Sequence, residues 1–281
     1  MQFQYTALTQ NTGCSTENDT LSCIRGLNIA NLQEFNQGIA YPGRTALPLW
    51  GYVPVVDGSL LETPVYEAFE KGKFIKVPTI IGDVTNEGSD FAPNASTAVE
   101  VETFFQNQYP YLSSQNATEI TVVYPETVAP QVSNHNLWFP AASLAYGDAL
   151  FNCPGINFAR YIIGSGGPVW MYRFNVLTAS NEAAGLGVPH GFDLTAIFGG
   201  SYADSDVRNT IRLMGYYISF VRSLDPNTYV FPGLPSWAMY NGSIGGTRLV
   251  INNNNTATEG VLSAMILRCN WWESMIRPMQ V

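Results

Sequence analysis

Apolar and polar positions along this chain follow two kinds of pattern. Short apolar runs that predict buried strands occur at residues 78–83, 168–176 and 248–251. Longer stretches that predict helices lie at residues 24–37, 63–71, 97–108, 116–123, 139–163, 205–223 and 258–277. Strands that alternate with helices in this way are typical of an α/β architecture with a largely parallel or mixed sheet.

Local signals place several element boundaries. Thr63 is predicted to cap the helix at 63–71, with Pro64 at its first helical position. Ser205 or Asp204 is predicted to cap the helix that runs to residue 223. The Cys153-Pro154 pair is expected to interrupt the helix at 139–163, and residues 51–58 predict a strand or extended segment that ends in an Asp-Gly turn.

Composition narrows the class of protein. The 281 residues suffice for one large domain, or a big piece of one, and 46% of them are hydrophobic. The net charge is −9, and the 13 Lys and Arg residues are scattered rather than clustered, which argues against a nucleic-acid-binding protein. Because the sequence has no apolar run of about 18 or more residues, no transmembrane segment is predicted.

Glycosylation motifs and an even number of cysteines indicate a secreted protein. Asn-x-Ser/Thr sequons occur at Asn18, Asn94, Asn116, Asn241 and Asn254. The four cysteines are Cys14, Cys23, Cys153 and Cys269. The short spacing of the first two favours a local disulfide, with metal binding as the alternative. The N-terminal residues do not resemble a signal peptide, so one is expected upstream.

The candidate chemistry lies in two loops that follow predicted strands. Glu87 comes after the strand at 78–83 and directly before a glycine, where an α/β enzyme commonly holds a catalytic acid. His190, one of only two histidines, lies in a Gly- and Pro-rich loop after the strand at 168–176. A carboxylate on one ring nitrogen fixes the tautomer of a histidine that acts as a general base. The other histidine, His135, is interpreted as a surface residue.

Several blocks together resemble the type-B carboxylesterase/lipase family, which contains cholinesterases and many fungal lipases and esterases. They are the segments 53–58, 86–91 and 190–193, with Phe198-Gly199 beyond the last. Asn86 departs from the Asp that usually precedes the acid in this family. The resemblance implies an α/β-hydrolase fold and covers essentially all of residues 1–281, which would form the C-terminal portion of a single family domain.

The resemblance also implies roles for individual residues. It makes Glu87 the acid and His190 the base of a catalytic triad, and Asp193 is expected to support the histidine loop by hydrogen bonding. It implies two disulfides, Cys14–Cys23 and Cys153–Cys269. The expected substrate is a carboxylic ester or lipid, and no cofactor or metal is implied.

The nucleophile of the triad is the feature that this sequence lacks. The family places its serine in a Gly-x-Ser-x-Gly elbow, and no such pentapeptide occurs among the 281 residues. We therefore expect the isolated chain to be inactive and to have an exposed strand edge, with the N-terminal half of the same domain as its expected complement. A truncated product and a non-catalytic binding or adhesion member of the family are the alternatives.

Overall fold

A four-stranded sheet forms the centre of the molecule. The computed structural model describes residues 2–126, 134–200, 202, 207–242 and 246–279. The strands are β1 (Thr79–Val84), β2 (Val169–Asn175), β3 (Thr247–Asn252) and β4 (Thr256–Gly260), in the order β1-β2-β3-β4. β1, β2 and β3 are parallel, and β4 pairs antiparallel with β3. The predicted α/β class with a mostly parallel sheet is confirmed.

Helices surround this sheet. Their bounds are α1 (Gln2–Asn11), α2 (Thr20–Arg25), α3 (Ile29–Phe35), α4 (Val65–Glu70), α5 (Ala98–Gln108), α6 (Ser114–Val123), α7 (Phe139–Gly147), α8 (Cys153–Gly164), α9 (Ala179–Ala184), α10 (Leu194–Ile197), α11 (Val207–Ser223) and α12 (Ser263–Met279). A π-helical turn, Asp148–Asn152, joins α7 to α8. Within the described residues, no helix is long and apolar enough to cross a membrane.

The two faces of the sheet bury separate hydrophobic clusters. Met171 of β2 packs in a cluster that includes side chains of α5, α6, α7, α8 and α12. The neighbouring residue Tyr172 packs in a second cluster with residues of α11, because successive side chains of a strand point to opposite faces. β2 is buried on both faces, which explains why its sequence is a continuous apolar and aromatic run.

Charged residues lie within the sheet as well. Arg248 of β3 binds Asp83 of β1, with Nη1–Oδ2 at 2.8 Å, and both side chains are buried. Glu259 of β4 binds both Arg248 and Arg173, so that four charged residues from four strands form one network. Burial raises the pKa of Asp83 to about 7, although Arg248 opposes this shift.

Most predicted elements are present, and the exceptions have physical causes. The predicted helix at 258–277 starts too early. Thr256–Gly260 pair with β3 as a strand, so the helix begins only at Ser263. The helix at 63–71 begins one residue late, with Pro64 rather than Thr63 in the cap position. At Cys153-Pro154 the helix continues through the π-helical turn, whose wider spacing accommodates the proline. The proposed caps Asp204 and Ser205 lie outside the described residues.

Residues 36–64 form the least regular part of the described chain. This segment, which we call the N-terminal coil, contains no helix or strand. Residues 51–58, predicted as a strand or an extended segment, accordingly have no strand partner. Several apolar side chains of the coil are exposed, and Leu60 is 87% exposed.

Two disulfides join the four cysteines. Cys14 binds Cys23 across a short loop, with a Cα–Cα distance of 5.7 Å. Cys153 at the start of α8 binds Cys269 of α12, with a Cα–Cα distance of 4.7 Å. The metal alternative for the first pair is therefore wrong for this structure, because both sulfur atoms are bonded to each other.

Candidate functional site

The loop after β1 folds the side chain of Glu87 back onto its own strand. The backbone N–H of Val84 donates to Glu87 Oε1 at 2.8 Å, and the Glu87 side chain is buried. This hydrogen bond satisfies one carboxylate oxygen and fixes the direction of the other. Glu87 therefore presents Oε2 from the carboxyl end of the sheet.

Gly88 lets this loop lie directly against α7. A Cβ atom built on Gly88 would lie 1.9 Å from the Ser143 carbonyl oxygen and 2.7 Å from the Gly147 nitrogen. Both contacts are with backbone atoms, which have no rotamers with which to move aside. The glycine after the acid is thus required by packing, and it sets how closely Glu87 approaches the helix.

His190 meets Glu87 at this point. His190 Nδ1 lies 2.6 Å from Glu87 Oε2, and because a carboxylate only accepts, Nδ1 carries the proton. The neutral ring therefore presents an unprotonated Nε2, the atom that a general base uses. Burial raises the pKa of Glu87, while the Val84 N–H and the bond to His190 act in the opposite direction.

Two phenylalanine rings flank the imidazole. The Phe151 ring stacks on His190 with centroids 4.1 Å apart, and Phe91 approaches it at 5.5 Å. Two further phenylalanines, Phe192 and Phe198, follow His190 in the sequence. Phe192 packs on Tyr202, and Phe198 is 82% exposed.

Sequence reasoning missed Phe151. The residue lies in the π-helical turn Asp148–Asn152, and this turn places both Leu150 and Phe151 along the cleft. Helical periodicity gave no signal for such a turn, since one extra residue per turn leaves no distinctive pattern in the sequence. Turns of this kind are frequent at functional sites.

The cleft beside the Glu87–His190 pair has a volume of about 340 Å³. Its lining combines two carboxylates and an imidazole with apolar side chains, and it consists of Gly82, Glu87, Leu150, Phe151, His190, Gly191, Asp193 and Leu194. A site of this type suits a small molecule with an apolar group and a reactive polar centre.

Asp193 lies in the same cleft and is bound by a phenol. Tyr172 OH of β2 donates to Asp193 Oδ2. The Tyr172 ring occupies the space above Gly82, where an added Cβ would lie 1.9 Å from the ring. This hydrogen bond joins Asp193 to the central strand, and the prediction that Asp193 supports the histidine loop stays a prediction.

His135 lies on a different cavity. Its Nε2 is 2.9 Å from the carbonyl oxygen of Ala184, and its ring stacks on Phe139 with centroids 3.7 Å apart. The cavity that it lines, about 160 Å³, also touches Glu87. These contacts give His135 a structural position between loops rather than a fully solvated one.

The predicted glycosylation sites differ in accessibility. The side chains of Asn18, Asn94, Asn241 and Asn254 are exposed. Asn116 is half-buried in the first turns of α6, and its Nδ2 lies 3.6 Å from Met275 Sδ of α12. Glycosylation at Asn116 would require this contact with α12 to open.

Comparison with known proteins identifies the kind of molecule. A sequence model of the carboxylesterase family matches residues 1–269. Secreted lipase 4 of Gibberella zeae is 29% identical over 279 residues, which cover 96% of this chain and 49% of that relative. Lipase 2 of Geotrichum candidum is 26% identical over 251 residues, which cover 84% of this chain and 43% of the relative.

A solved structure resembles the whole of the present one. Aspergillus niger EstA superposes with a TM-score of 0.94 at 41% sequence identity, covering 100% of this chain and 56% of that chain. This similarity confirms the α/β-hydrolase fold. The chain spans about half the length of the curated relatives that it matches.

Proposed function

This chain belongs to the carboxylesterase family, and on that premise we propose that it supplies the acid and the general base of a carboxylic-ester hydrolase. The observation that carries the proposal is the 2.6 Å contact between His190 Nδ1 and Glu87 Oε2. Glu87 is the orienting acid, because its other oxygen is held by the Val84 N–H and it cannot turn away. His190 is the base, since its Nε2 remains available for a proton.

The proposed reaction proceeds through an acyl-serine. A serine hydroxyl attacks the ester carbonyl carbon while His190 Nε2 takes the hydroxyl proton. The same proton goes to the departing alcohol, and the C–O bond of the ester breaks. Water, deprotonated by Nε2, then attacks the acyl carbon. The bond from this carbon to the serine oxygen breaks, Nε2 returns the proton to that oxygen, and the carboxylic acid leaves. The buried Glu87 carboxylate stabilises the imidazolium that forms in each half-reaction.

We place the serine outside these 281 residues. The sequence contains no Gly-x-Ser-x-Gly pentapeptide, and its nearest match, Gly199–Ala203, lacks the final glycine and follows the histidine. The chain by itself then lacks both the nucleophile and the backbone amides of an oxyanion hole, which are worth about 3 kcal/mol or more of the barrier. We expect no esterase activity from the isolated chain.

The partner that we propose is the part of the family domain that precedes this segment. Among the described residues, β1 pairs with a single strand, β2, so its other edge has no strand neighbour. The N-terminal coil exposes apolar side chains such as Trp50 and Leu60. Additional strands beside β1 would satisfy its backbone and cover apolar surface in one step.

Export from the cell accompanies this proposal. Two disulfides, four exposed sequon asparagines and the name of a relative, Secreted lipase 4, support an extracellular location. Treatment of the secreted protein with an endoglycosidase, followed by peptide mass analysis, should show glycans at the exposed sites. A protein without any glycan would contradict this part of the proposal.

A chimera tests the catalytic proposal directly. The present chain would replace the matching 56% of EstA, and hydrolysis of p-nitrophenyl butyrate would be measured. We expect activity that falls on the order of 10³–10⁴-fold in Glu87→Gln and in His190→Ala. The matched control is His135→Ala, which removes the other histidine and should change kcat by less than about threefold, as expected for a side chain away from the chemistry.

Three results would contradict the proposal. Activity that survives His190→Ala would exclude His190 as the base. Stoichiometric labelling of the isolated chain by diisopropyl fluorophosphate would show that the nucleophile lies within these 281 residues. A chimera that folds but hydrolyses no ester would favour the non-catalytic alternative.

A further inference from the structure

We propose that Asn86 is a positioning residue that aligns the Glu87 loop with the His190 loop, with Gly187 as its obligatory partner. The inference rests on the proposed catalytic roles of Glu87 and His190. It concerns the two residues that connect their loops rather than the reacting groups themselves.

Asn86 binds the histidine loop through its backbone and its side chain. Its N–H donates to the Val188 carbonyl oxygen at 2.9 Å, and its Oδ1 accepts from the Val188 N–H at 2.9 Å. Asn86 and Pro189 form an isolated parallel bridge between the two loops. Asn86 thus both donates to and accepts from Val188, in the segment that leads into His190.

Gly187 leaves the space that the Asn86 side-chain amide occupies. A Cβ on Gly187 would lie 2.1 Å from Asn86 Oδ1 and 2.5 Å from Asn86 Cγ, so the amide occupies the place of a side chain. Gly187 also has φ +67°, a backbone conformation that favours glycine. Any side chain at position 187 would therefore clash with the Asn86 amide.

The same asparagine also closes the turn around the acid. Its carbonyl oxygen accepts from the Ser89 N–H at 3.0 Å and from Ser89 Oγ at 2.9 Å. Asn86 is adjacent to Glu87, and Gly187 precedes His190 by three residues. A shift of Asn86 would therefore move both members of the pair, whose hydrogen bond spans only 2.6 Å.

The exposure of Asn86 indicates that it positions the loops more than it stabilises the fold. Asn86 is exposed, whereas Glu87 and Ser89 on the same loop are buried. Hydrogen bonds on an exposed side chain contribute little to the overall free energy of folding, because water competes for them. We therefore expect loss of Asn86 to alter loop alignment more than it alters stability.

The Nδ1 proton of His190 provides a direct measure of alignment. With only two histidines in the chain, ¹⁵N-histidine labelling gives two ring systems that can be assigned by His135→Ala. In the wild-type chain a deshielded, slowly exchanging Nδ1 proton should be visible, since Glu87 accepts it. In Asn86→Ala its exchange with water should accelerate at least tenfold, and Gly187→Ala should have the same effect.

Conservative variants distinguish alignment from polarity. Asn86→Asp keeps an acceptor for the Val188 N–H at the same place and should preserve slow exchange. Asn86→Gln keeps the amide but displaces its oxygen by one methylene, and exchange should accelerate as in Asn86→Ala. This variant also keeps the inference testable if Asn86→Ala does not fold.

Asn227 is the matched control. Its Oδ1 accepts from the Trp237 N–H at 2.7 Å and its Nδ2 donates to the Trp237 carbonyl oxygen, so it clamps two segments in the same way but elsewhere. Asn227→Ala should lower the melting temperature and leave the His190 proton within twofold of its wild-type exchange rate.

The outcomes separate this inference from the proposed function. If folded Asn86→Ala, confirmed by circular dichroism, exchanges within twofold of wild type, Asn86 is not a positioning residue. If Asn227→Ala accelerates exchange equally, the effect is general destabilisation and the inference fails. If the proton behaves as expected but the chimera is inactive, the proposed function fails and the positioning role stands.

Discussion

The Glu87 loop and the N-terminal coil are built in opposite ways. In the Glu87 loop, a buried carboxylate, two glycine contacts and backbone hydrogen bonds leave little room for change. In the N-terminal coil, residues 36–64, no helix or strand forms and large apolar side chains meet solvent. Hydrogen bonds attach the coil to the body at Arg44 and at Leu49, whose N–H donates to Gln108 Oε1 at 2.8 Å.

The comparison shows that the Glu87 loop is packed by residues of this chain, whereas much of the N-terminal coil is not. Within the described residues, Glu87 and His190 contact each other, and the chain also supplies the Val84 N–H to Glu87 and the rings of Phe91 and Phe151 to His190. The coil instead presents apolar surface of the kind that marks an interface with another element.

Removal of the α8–α12 disulfide should have the largest effect. Cys153 and Cys269 are 116 residues apart, and a chain-entropy model gives a loss of about 5 kcal/mol in the free energy of unfolding. The Cys14–Cys23 pair, 9 residues apart, should cost about 3 kcal/mol. Urea denaturation of the two double-alanine variants would compare them, and equal losses would contradict the loop-length argument.

The free energy of unfolding should depend on pH through Asp83, in the strand that leads to Glu87. Burial raises the pKa of Asp83 to about 7 in the folded state, above the unfolded value near 3.9. The folded state then holds its proton more tightly, so stability falls as pH rises from about 4 to about 7, by at most about 1.4 kcal/mol per pH unit.

Asp83→Asn is the matched variant for this test. It removes the ionisable group. The free energy of unfolding of the wild type minus that of the variant should therefore decrease as pH rises over that range and level off above it. Thermal unfolding at a series of pH values gives the measurement. A difference that increases with pH would show that Arg248 keeps Asp83 ionised in the folded state.

Gly88→Ala should disrupt the Glu87 loop. A methyl group 1.9 Å from the Ser143 carbonyl oxygen forces the loop away from α7, at a cost of about 3 kcal/mol. Gly164 has open space around its Cβ position, so Gly164→Ala should stay within about 1 kcal/mol of wild type. Comparable melting temperatures for the two variants would refute the packing argument.

Substitution in the N-terminal coil should have the smallest effect on stability. Leu60→Ser should change the free energy of unfolding by no more than about 0.5 kcal/mol, because Leu60 is 87% exposed. Leu213→Ser, at a fully buried leucine of α11, should cost about 3 kcal/mol or more. Sedimentation velocity should also show less self-association for Leu60→Ser, and unchanged association would argue against the coil as an interface.

Much of the fold was predictable from the sequence. The apolar runs that became β1, β2 and β3 were identified within about a residue, because buried parallel strands leave continuous apolar segments. β4 was missed, since Thr256–Gly260 is short and only partly buried, and its strand conformation comes from pairing with β3. Local propensity carried no comparable signal there.

The candidate site was predictable in its members and not in its surroundings. Glu87 and His190 were predicted to meet from their loop context and from the family resemblance, and the structure places His190 Nδ1 2.6 Å from Glu87 Oε2, while their catalytic roles stay a proposal. Phe151 and the phenol of Tyr172 were not anticipated. Both reach the site through tertiary contacts, the first from a π-helical turn and the second across Gly82 from the central strand.

The sequence by itself determined the class of fold, the positions of the three parallel strands and the choice of Glu87 and His190 as the proposed acid and base, because periodicity and motif chemistry are local properties. Only the tertiary structure decided how closely the two loops approach. That distance depends on Gly88 against α7 and on Asn86 against Gly187, which are contacts between residues up to about 100 positions apart. Steric fit between distant backbones is set when the elements pack, and a linear pattern does not encode it.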